Sequence, residues 1–250
     1  MPNPKIRLLT IPPGVAGAAL VIAFLAWAAL THFFSPARTA IMLGFPLQGS
    51  TVVIDPGHGG IDSGVTSHLI EEKTITLAVG LELSRLLEQA GAAAILTRSR
   101  DEDISHLIPE EVDSRYRRDI KGRVKVINES RADLFISIHI DSCTDPSVRG
   151  AIAFYNQKYP ENKLLAETVQ KHVNPVAAIN ARPGEYIHQE IKEGSYYILN
   201  EARVPGIIIE IAFMTNPTDR ELMVQQSYQK KMAQALFMGI LEYLYIRDQG

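Results

Sequence analysis

Apolar residues in this chain follow two rhythms. Short β-branched runs alternate with longer stretches in which apolar positions recur every three or four residues, the pattern of strands alternating with helices. The first run, Val52-Val53-Ile54, leads into Asp55-Pro56-Gly57-His58-Gly59-Gly60-Ile61-Asp62-Ser63-Gly64. It predicts a buried strand whose C-terminal end opens into a tight glycine-rich loop carrying His58. Residues 71–90 then set Ile75, Leu77, Ala78, Leu81, Leu83, Leu86 and Leu87 at helical spacing, with Gly91 as a C-cap. Residues 93–97 read as a second strand, which makes a strand-helix-strand unit with a parallel pair and a right-handed crossover.

Residues 98–118 are charged, contain Pro109 and keep no period, so they predict a solvated loop with at most one helical turn. Helical spacing returns over 119–130 through Ile120, Val124 and Ile127, and Leu134-Phe135-Ile136-Ser137-Ile138-His139 reads as a strand that again ends in a histidine. A strand is expected at 150–155, a helix at 162–173, and a loop or flap over 174–195 with a short strand at 196–199. Gly206-Ile207-Ile208-Ile209-Glu210 is a near-continuous apolar run ending in a carboxylate, which suits a central strand buried on both faces. A helix over 227–245 closes the pattern, and no internal repeat is present. The expectation is an α/β fold, a single domain with a largely parallel central sheet flanked by helices over 51–250.

The stretch before it behaves differently. Residues 14–34 carry no formal charge and are long enough to cross a hydrocarbon core. Lys5 and Arg7 on the N-terminal side put that end in the cytoplasm and send the rest of the chain across the membrane. Ser35-Pro36-Ala37 is a poor signal-peptidase site because of its proline, which favours an uncleaved signal anchor over a cleaved signal peptide. Residues 1–34 are thus expected to form a cytoplasmic tip and a transmembrane anchor, and 35–50, with two prolines and two glycines, a linker.

Composition narrows the class. Of 250 residues, 46% are apolar and 21% charged, as in a packed globular protein rather than a disordered one. A net charge of −3 gives no basic field, so nucleic acid is not an expected partner. The single cysteine, Cys143, cannot form an internal disulfide and leaves the compartment open.

Three expected strands end in chemistry: His58, His139 and Glu210. A parallel sheet gathers such ends along one edge, and Glu71 and Glu72 at the start of the first helix can join them. Two histidines and one glutamate suit zinc with a position left for water, and a further carboxylate can serve as base. On that reading the water loses its proton to Glu210, which passes it to a leaving amine, and the reaction is amide hydrolysis. No His-Glu-x-x-His helix is present, however, and each residue has a plainer reading: His139 a histidine at a strand end, Glu210 a carboxylate capping a helix. His68 stands as an alternative ligand close to Glu72. Cys143, four residues after His139, could bind metal or act as a nucleophile, although no base is paired with it in sequence.

The chain from about Ser50 onward resembles the zinc-dependent N-acetylmuramoyl-L-alanine amidases of the type 3 family. The blocks that carry the resemblance are Ile54-Asp55-Pro56-Gly57-His58-Gly59-Gly60, Glu72-Lys73 with Leu77, Leu96-Thr97-Arg98, Ala132-Asp133-Leu134-Phe135-Ile136-Ser137-Ile138-His139, and Glu210-Ile211-Ala212-Phe213-Met214-Thr215-Asn216-Pro217. They occur in the family's order. The resemblance implies zinc (Zn2+) held by His58, Glu72 and His139, with Glu210 as the catalytic glutamate, and it selects Glu72 over Glu71 because the family's ligand directly precedes a lysine. Two departures are visible: Asp141 stands where the family usually has asparagine, and Ala212-Phe213 where it usually has Gly-Phe.

The N-terminal anchor, the lack of cell-wall-binding repeats and the lead-in Pro46-Leu47-Gln48-Gly49 further resemble the spore-cortex amidases of endospore-forming bacteria. Those enzymes strip peptide from muramic acid on the way to muramic lactam. The expected substrate is therefore peptidoglycan, cut between N-acetylmuramic acid and L-alanine on the outer side of a membrane, between the forespore membranes in a sporulating cell. An accessory protein is left open as a partner. The alternatives are a vegetative amidase for cell separation and a noncatalytic peptidoglycan-binding regulator.

Overall fold

The computed structural model describes residues 47–249, together with Phe24 in the preceding stretch. The backbone divides into units 1–43 and 44–250, and every element below belongs to the second. β1 (Thr51–Pro56) is followed by a two-stranded hairpin, β2 (Thr66–Ser67) and β3 (Ile70–Glu71), and by α1 (Glu72–Gln89) and β4 (Ala93–Leu96). Two short 3₁₀ turns precede α2 (Arg115–Glu129), after which come β5 (Leu134–Asp141), β6 (Gly150–Tyr155), α3 (Glu161–Ala177), β7 (His188–Glu193), α4 (Tyr197–Glu201), β8 (Gly206–Phe213), α5 (Pro217–Met223) and α6 (Gln226–Arg247).

Six strands form the central sheet in the order β4-β1-β5-β8-β6-β7. β4, β1, β5 and β8 run parallel, β6 is antiparallel to β8, and β7 is parallel to β6. The sheet is α/β and mostly parallel, as the apolar runs predict. β8 is buried along nearly its whole length, in keeping with a central strand covered on both faces. α2 and α4 cover the face that carries Val53, Phe135 and Ile208. On the other face Ile54 touches α1 at Gly80, and α6 packs against both α1 and α3.

Several local expectations are corrected. Residues 98–118 are not a solvated loop throughout: Arg98, Ile104, Ser105 and Arg118 are buried, and helix α2 already begins at Arg115, capped by the Ser114 side chain. Residues 196–199, rich in aromatic and aliphatic side chains, start the short helix α4 instead of a strand, since Ile198 and Leu199 reach the same apolar cluster from a helical turn. β7 falls inside the expected flap; its mostly polar sequence suits an exposed edge strand and hides it from a search for apolar runs. The expected closing helix, 227–245, is α6, and ahead of it stands α5, a short helix with no counterpart in the expected elements, which Asn216 caps with its side chain on the Thr218 and Asp219 amides.

The expected anchor, 14–34, lies outside the described residues except for Phe24, and of the expected linker only 47–50 is described. There Leu47 is 2% exposed, so the packed unit takes it in. Among the described residues no helix is long and apolar enough to cross a membrane.

Candidate active site

β1 delivers the chain to its loop through Asp55, a carboxylate buried at the end of an apolar strand. It accepts from Thr97 Oγ1 (2.6 Å), Ser137 Oγ (2.6 Å) and Arg123 Nη1 (2.7 Å). Burial alone would raise its pKa, but the Arg123 charge and the two hydroxyls outweigh it and bring it to about 2. Arg123 and Arg98 then hold the loop carbonyls. Arg123 donates to Pro56 O (2.8 Å) and His58 O (2.6 Å), and Arg98 to Pro56 O (2.9 Å) and Gly57 O (2.9 Å). Both guanidiniums are buried, and burial with the nearby Arg123 charge lowers Arg98 to about 10. His58 sits at φ 61°, a backbone conformation that non-glycine residues seldom adopt and that these carbonyl contacts maintain.

The His58 ring is aimed by Asp62. Asp62 Oδ2 lies 2.8 Å from His58 Nδ1, and its other oxygen accepts from the Gly64 amide at 3.0 Å. With Nδ1–H donating to Asp62, Nε2 is left facing Glu72 Oε1 at 3.2 Å. Glu72, 1% exposed, opens α1 and is itself fixed: Oε1 accepts from the Ile140 amide and Oε2 from the Val65 amide, each at 2.8 Å. His139 Nδ1 approaches the same Oε1 at 3.1 Å, and the two imidazoles meet edge to face with centroids 4.9 Å apart.

One donor atom from each of His58, Glu72 and His139 lies within 4.8 Å of the others, a group that could hold a metal ion. Two glycines make the approach feasible. A Cβ on Gly57 would sit 2.4 Å from His139 Cε1, and one on Gly64, at φ 66°, would sit 2.4 Å from Glu72 Oε2. The electrostatics favour positive charge between these side chains. Burial works against the Glu72 anion, yet the hydrogen bonds and charges of His139 and His58 hold its carboxyl well below the usual carboxylate range. Burial likewise disfavours the His58 cation, and Glu72 and Asp62 override it to raise the His58 pKa.

Glu210 is the register partner of His139 across β5 and β8 and of Ile152 across β8 and β6. Its Oε2 is buried and has no hydrogen-bond partner among the described residues. Burial, and then the charges of Asp141 and Glu72, push its carboxyl well above the usual range. A carboxyl with raised proton affinity beside a polar cluster is equipped to accept and return a proton.

The structure therefore brings His58, Glu72, His139 and Glu210 to one edge of one sheet face. It leaves the other candidates apart. Glu71 is 45% exposed and faces Lys73. His68 is exposed in the hairpin turn beside Ser67, and Cys143 is half-buried, its amide on Thr215 Oγ1. Asp55, Arg123 and Arg98 were not singled out as site residues in the sequence. A signal was available: an acid inside a buried run, and an arginine three residues after Ile120 on the apolar stripe of α2.

Residues 52–242 match the family described as N-acetylmuramoyl-L-alanine amidase. The chain belongs to that family. The amidase is 34% identical over 198 residues to the germination-specific N-acetylmuramoyl-L-alanine amidase of Bacillus subtilis (strain 168), a match that spans 79% of this chain and 81% of that relative. Among solved structures it resembles the CwlD amidase from Clostridioides difficile in complex with the GerS lipoprotein, with a TM-score of 0.70, 30% identity, and coverage of 79% of this chain and 100% of that one. It also resembles the catalytic domain of CwlV, an N-acetylmuramoyl-L-alanine amidase from Bacillus (Paenibacillus) polymyxa, with a TM-score of 0.66, 28% identity, and coverage of 79% and 99%. The amidase thus hydrolyses the amide between N-acetylmuramic acid and L-alanine.

Proposed function

We propose that this amidase is a zinc enzyme of the spore cortex, anchored by residues 14–34 with its catalytic unit outside the cytoplasm, between the forespore membranes. The observation that carries the zinc reading is the convergence of two imidazoles and one carboxylate oxygen, from His58, His139 and Glu72, beside a buried carboxyl on the adjacent strand. Two nitrogens and one oxygen make a donor set that catalytic zinc commonly takes while keeping a position for water. When bound, zinc supplies Lewis-acid polarisation of the scissile carbonyl and a water of lowered pKa.

The protein's own groups do the rest. Asp62 holds His58 in the tautomer that turns Nε2 to the site, and the Ile140 and Val65 amides keep the Glu72 carboxylate in place. Glu210 takes the proton of the attacking water and delivers it to the L-alanine nitrogen as the C–N bond breaks. Its buried Oε2 has no competing hydrogen bond among the described residues. The cortex assignment is supported by the likeness to the germination-specific relative. The neighbour solved in complex with a lipoprotein supports an accessory protein as a partner here.

The test is product analysis on cortex and vegetative peptidoglycan, with and without a chelator. Wild-type protein is expected to release intact stem peptides beginning with L-alanine, from cortex in preference to vegetative wall, and to lose this with chelation. Glu210→Gln is expected to keep stoichiometric zinc while turnover falls by about 10²–10⁴, the usual contribution of a positioned general base. Retained turnover in that variant would reject the role of Glu210.

A further inference from the structure

A cavity on the same sheet face as Glu210 is not used by the hydrolytic step. The register places it. His139 pairs with Glu210, but the irregularity that follows makes Asp141 the partner of Phe213, so one extra residue of β8 is taken up between the two pairs. Phe213 is thereby turned onto the face of Glu210, where ordinary alternation would have put it on the opposite one. On β6 Ile152 partners Glu210, and Gly150, on the same face, partners His188 at the start of β7. The His188 ring lies 5.6 Å from the Phe213 ring and 5.0 Å from that of Tyr186. Here a cavity of about 620 Å³ opens, with Ser147, Arg182, Tyr186, His188, Asn216 and Thr218 among its walls.

The segments after β5 and β8, the strands that carry His139 and Glu210, supply Ser147 and Asn216 to these walls. Two strand spacings of about 4.8 Å separate β8 from β7, so the cavity begins roughly 10 Å from Glu210, the reach of about three residues of extended peptide.

The charges around the cavity are unevenly committed. Asp145 accepts from the Ser147 amide (2.8 Å) and hydroxyl (2.7 Å). Glu185 accepts from the Arg182 amide (2.8 Å), and His188 pairs with Glu190 (3.0 Å). The Arg182 guanidinium is exposed and makes no hydrogen bond or ion pair among the described residues. Behind Glu185 lies Arg149, 0% exposed. Its Nε and Nη2 are bonded to Asp219 and to the carbonyls that end α3, while Nη1 is buried without a hydrogen bond, 3.6 Å from Glu185. Arg149 is thus committed to Asp219 and Glu185, and the uncommitted guanidinium at the rim, that of Arg182, favours a carboxylate, whose two oxygens fit the arginine fork; a sugar hydroxyl would gain less from it.

We propose that this cavity receives the peptide that leaves in the reaction, and that Arg182 pairs with one of its carboxylates. The inference rests on the amidase reading, because that reading puts an acidic peptide on the leaving side of the scissile bond. The test uses Arg182→Gln and Arg182→Lys, which alter an exposed side chain without internal bonds. The substrates are a soluble N-acetylmuramoyl peptide with free carboxylates and the same compound amidated at those carboxylates.

Arg182→Gln is expected to raise KM for the free acid about tenfold with kcat within about twofold, and to leave the amidated substrate unaffected; Arg182→Lys restores part of the loss. An unchanged KM for the free acid overturns the proposal. Calorimetry with the sugarless free-acid peptide reads the cavity without turnover. Weaker binding to Arg182→Gln than to wild type supports the proposal, while equal binding or none to wild type overturns it. A wild-type protein that binds this peptide but cleaves neither substrate would instead reject the amidase reading.

Discussion

Asp62 shows how one residue of the loop decides the chemistry of another. One carboxylate oxygen holds His58 Nδ1 and the other the Gly64 amide, so the same side chain closes the loop and selects the imidazole nitrogen that faces Glu72. Removing such a partner from a metal-binding histidine commonly lowers metal affinity by about 10–100-fold. We expect Asp62→Ala to lose affinity in that range, measured by competition with a chromogenic chelator, and Asp62→Asn, which keeps an acceptor oxygen, to lose less. Unchanged affinity in both would show that the loop backbone alone orients His58. Asp141 belongs to the same scale: its charge adds to that of Glu72 in raising the Glu210 pKa, so this departure from the family's usual asparagine bears on the proposed base and leaves the three donor residues unaltered.

Helix α2 is the element that fixes the loop after β1. Arg123 reaches from its buried side to Asp55, to Asp119 one turn earlier, and to the carbonyls of Pro56 and His58. Replacing it with Leu would leave two buried carboxylates without their cation, a loss of about 3–5 kcal/mol that urea unfolding would read directly. Lys at this position keeps the charge but not the fork, and is expected to fall between Leu and wild type. Periodicity exposes α2 through Ile120, Val124 and Ile127, yet a count of apolar positions passes over the arginine among them. β1, β5 and β8 were legible because their burial is written as β-branched runs. β7 was not, because an edge strand needs backbone pairing and can do without apolar side chains. α4 was misread because Tyr-Tyr-Ile-Leu suits a strand, and its helical form depends on packing against Val53, Phe135 and Ile208, which is tertiary information. His58, His139 and Glu210 could be gathered from sequence since strand-end patterns converge at one edge of a parallel sheet, whereas Glu72 was chosen over Glu71 only by the family resemblance. The arginine and aspartate frame beneath them shows no such repeat.

At the scale of the whole molecule, the buried Asp55 cluster ties β1, β5, α2 and the segment after β4 together, so its titration bears on global stability. The Asp55 pKa falls from 3.8 to about 2 in the folded protein. A lowered folded pKa means that the unfolded chain binds the proton more tightly, so the stabilisation is fully present above about pH 4 and is lost as the pH falls through about 2. Its size is about 2 kcal/mol. Other carboxylates titrate in the same range, and the difference in unfolding free energy between wild type and Asp55→Asn isolates this one. That difference is expected to hold steady between pH 7 and pH 5 and to shrink steadily below about pH 4. Urea titrations at each pH, run in chelator so that metal linkage does not enter, would measure it. A difference that stayed constant down to about pH 2 would mean that Asp55 acts through shape alone and that its charge contributes nothing to folding.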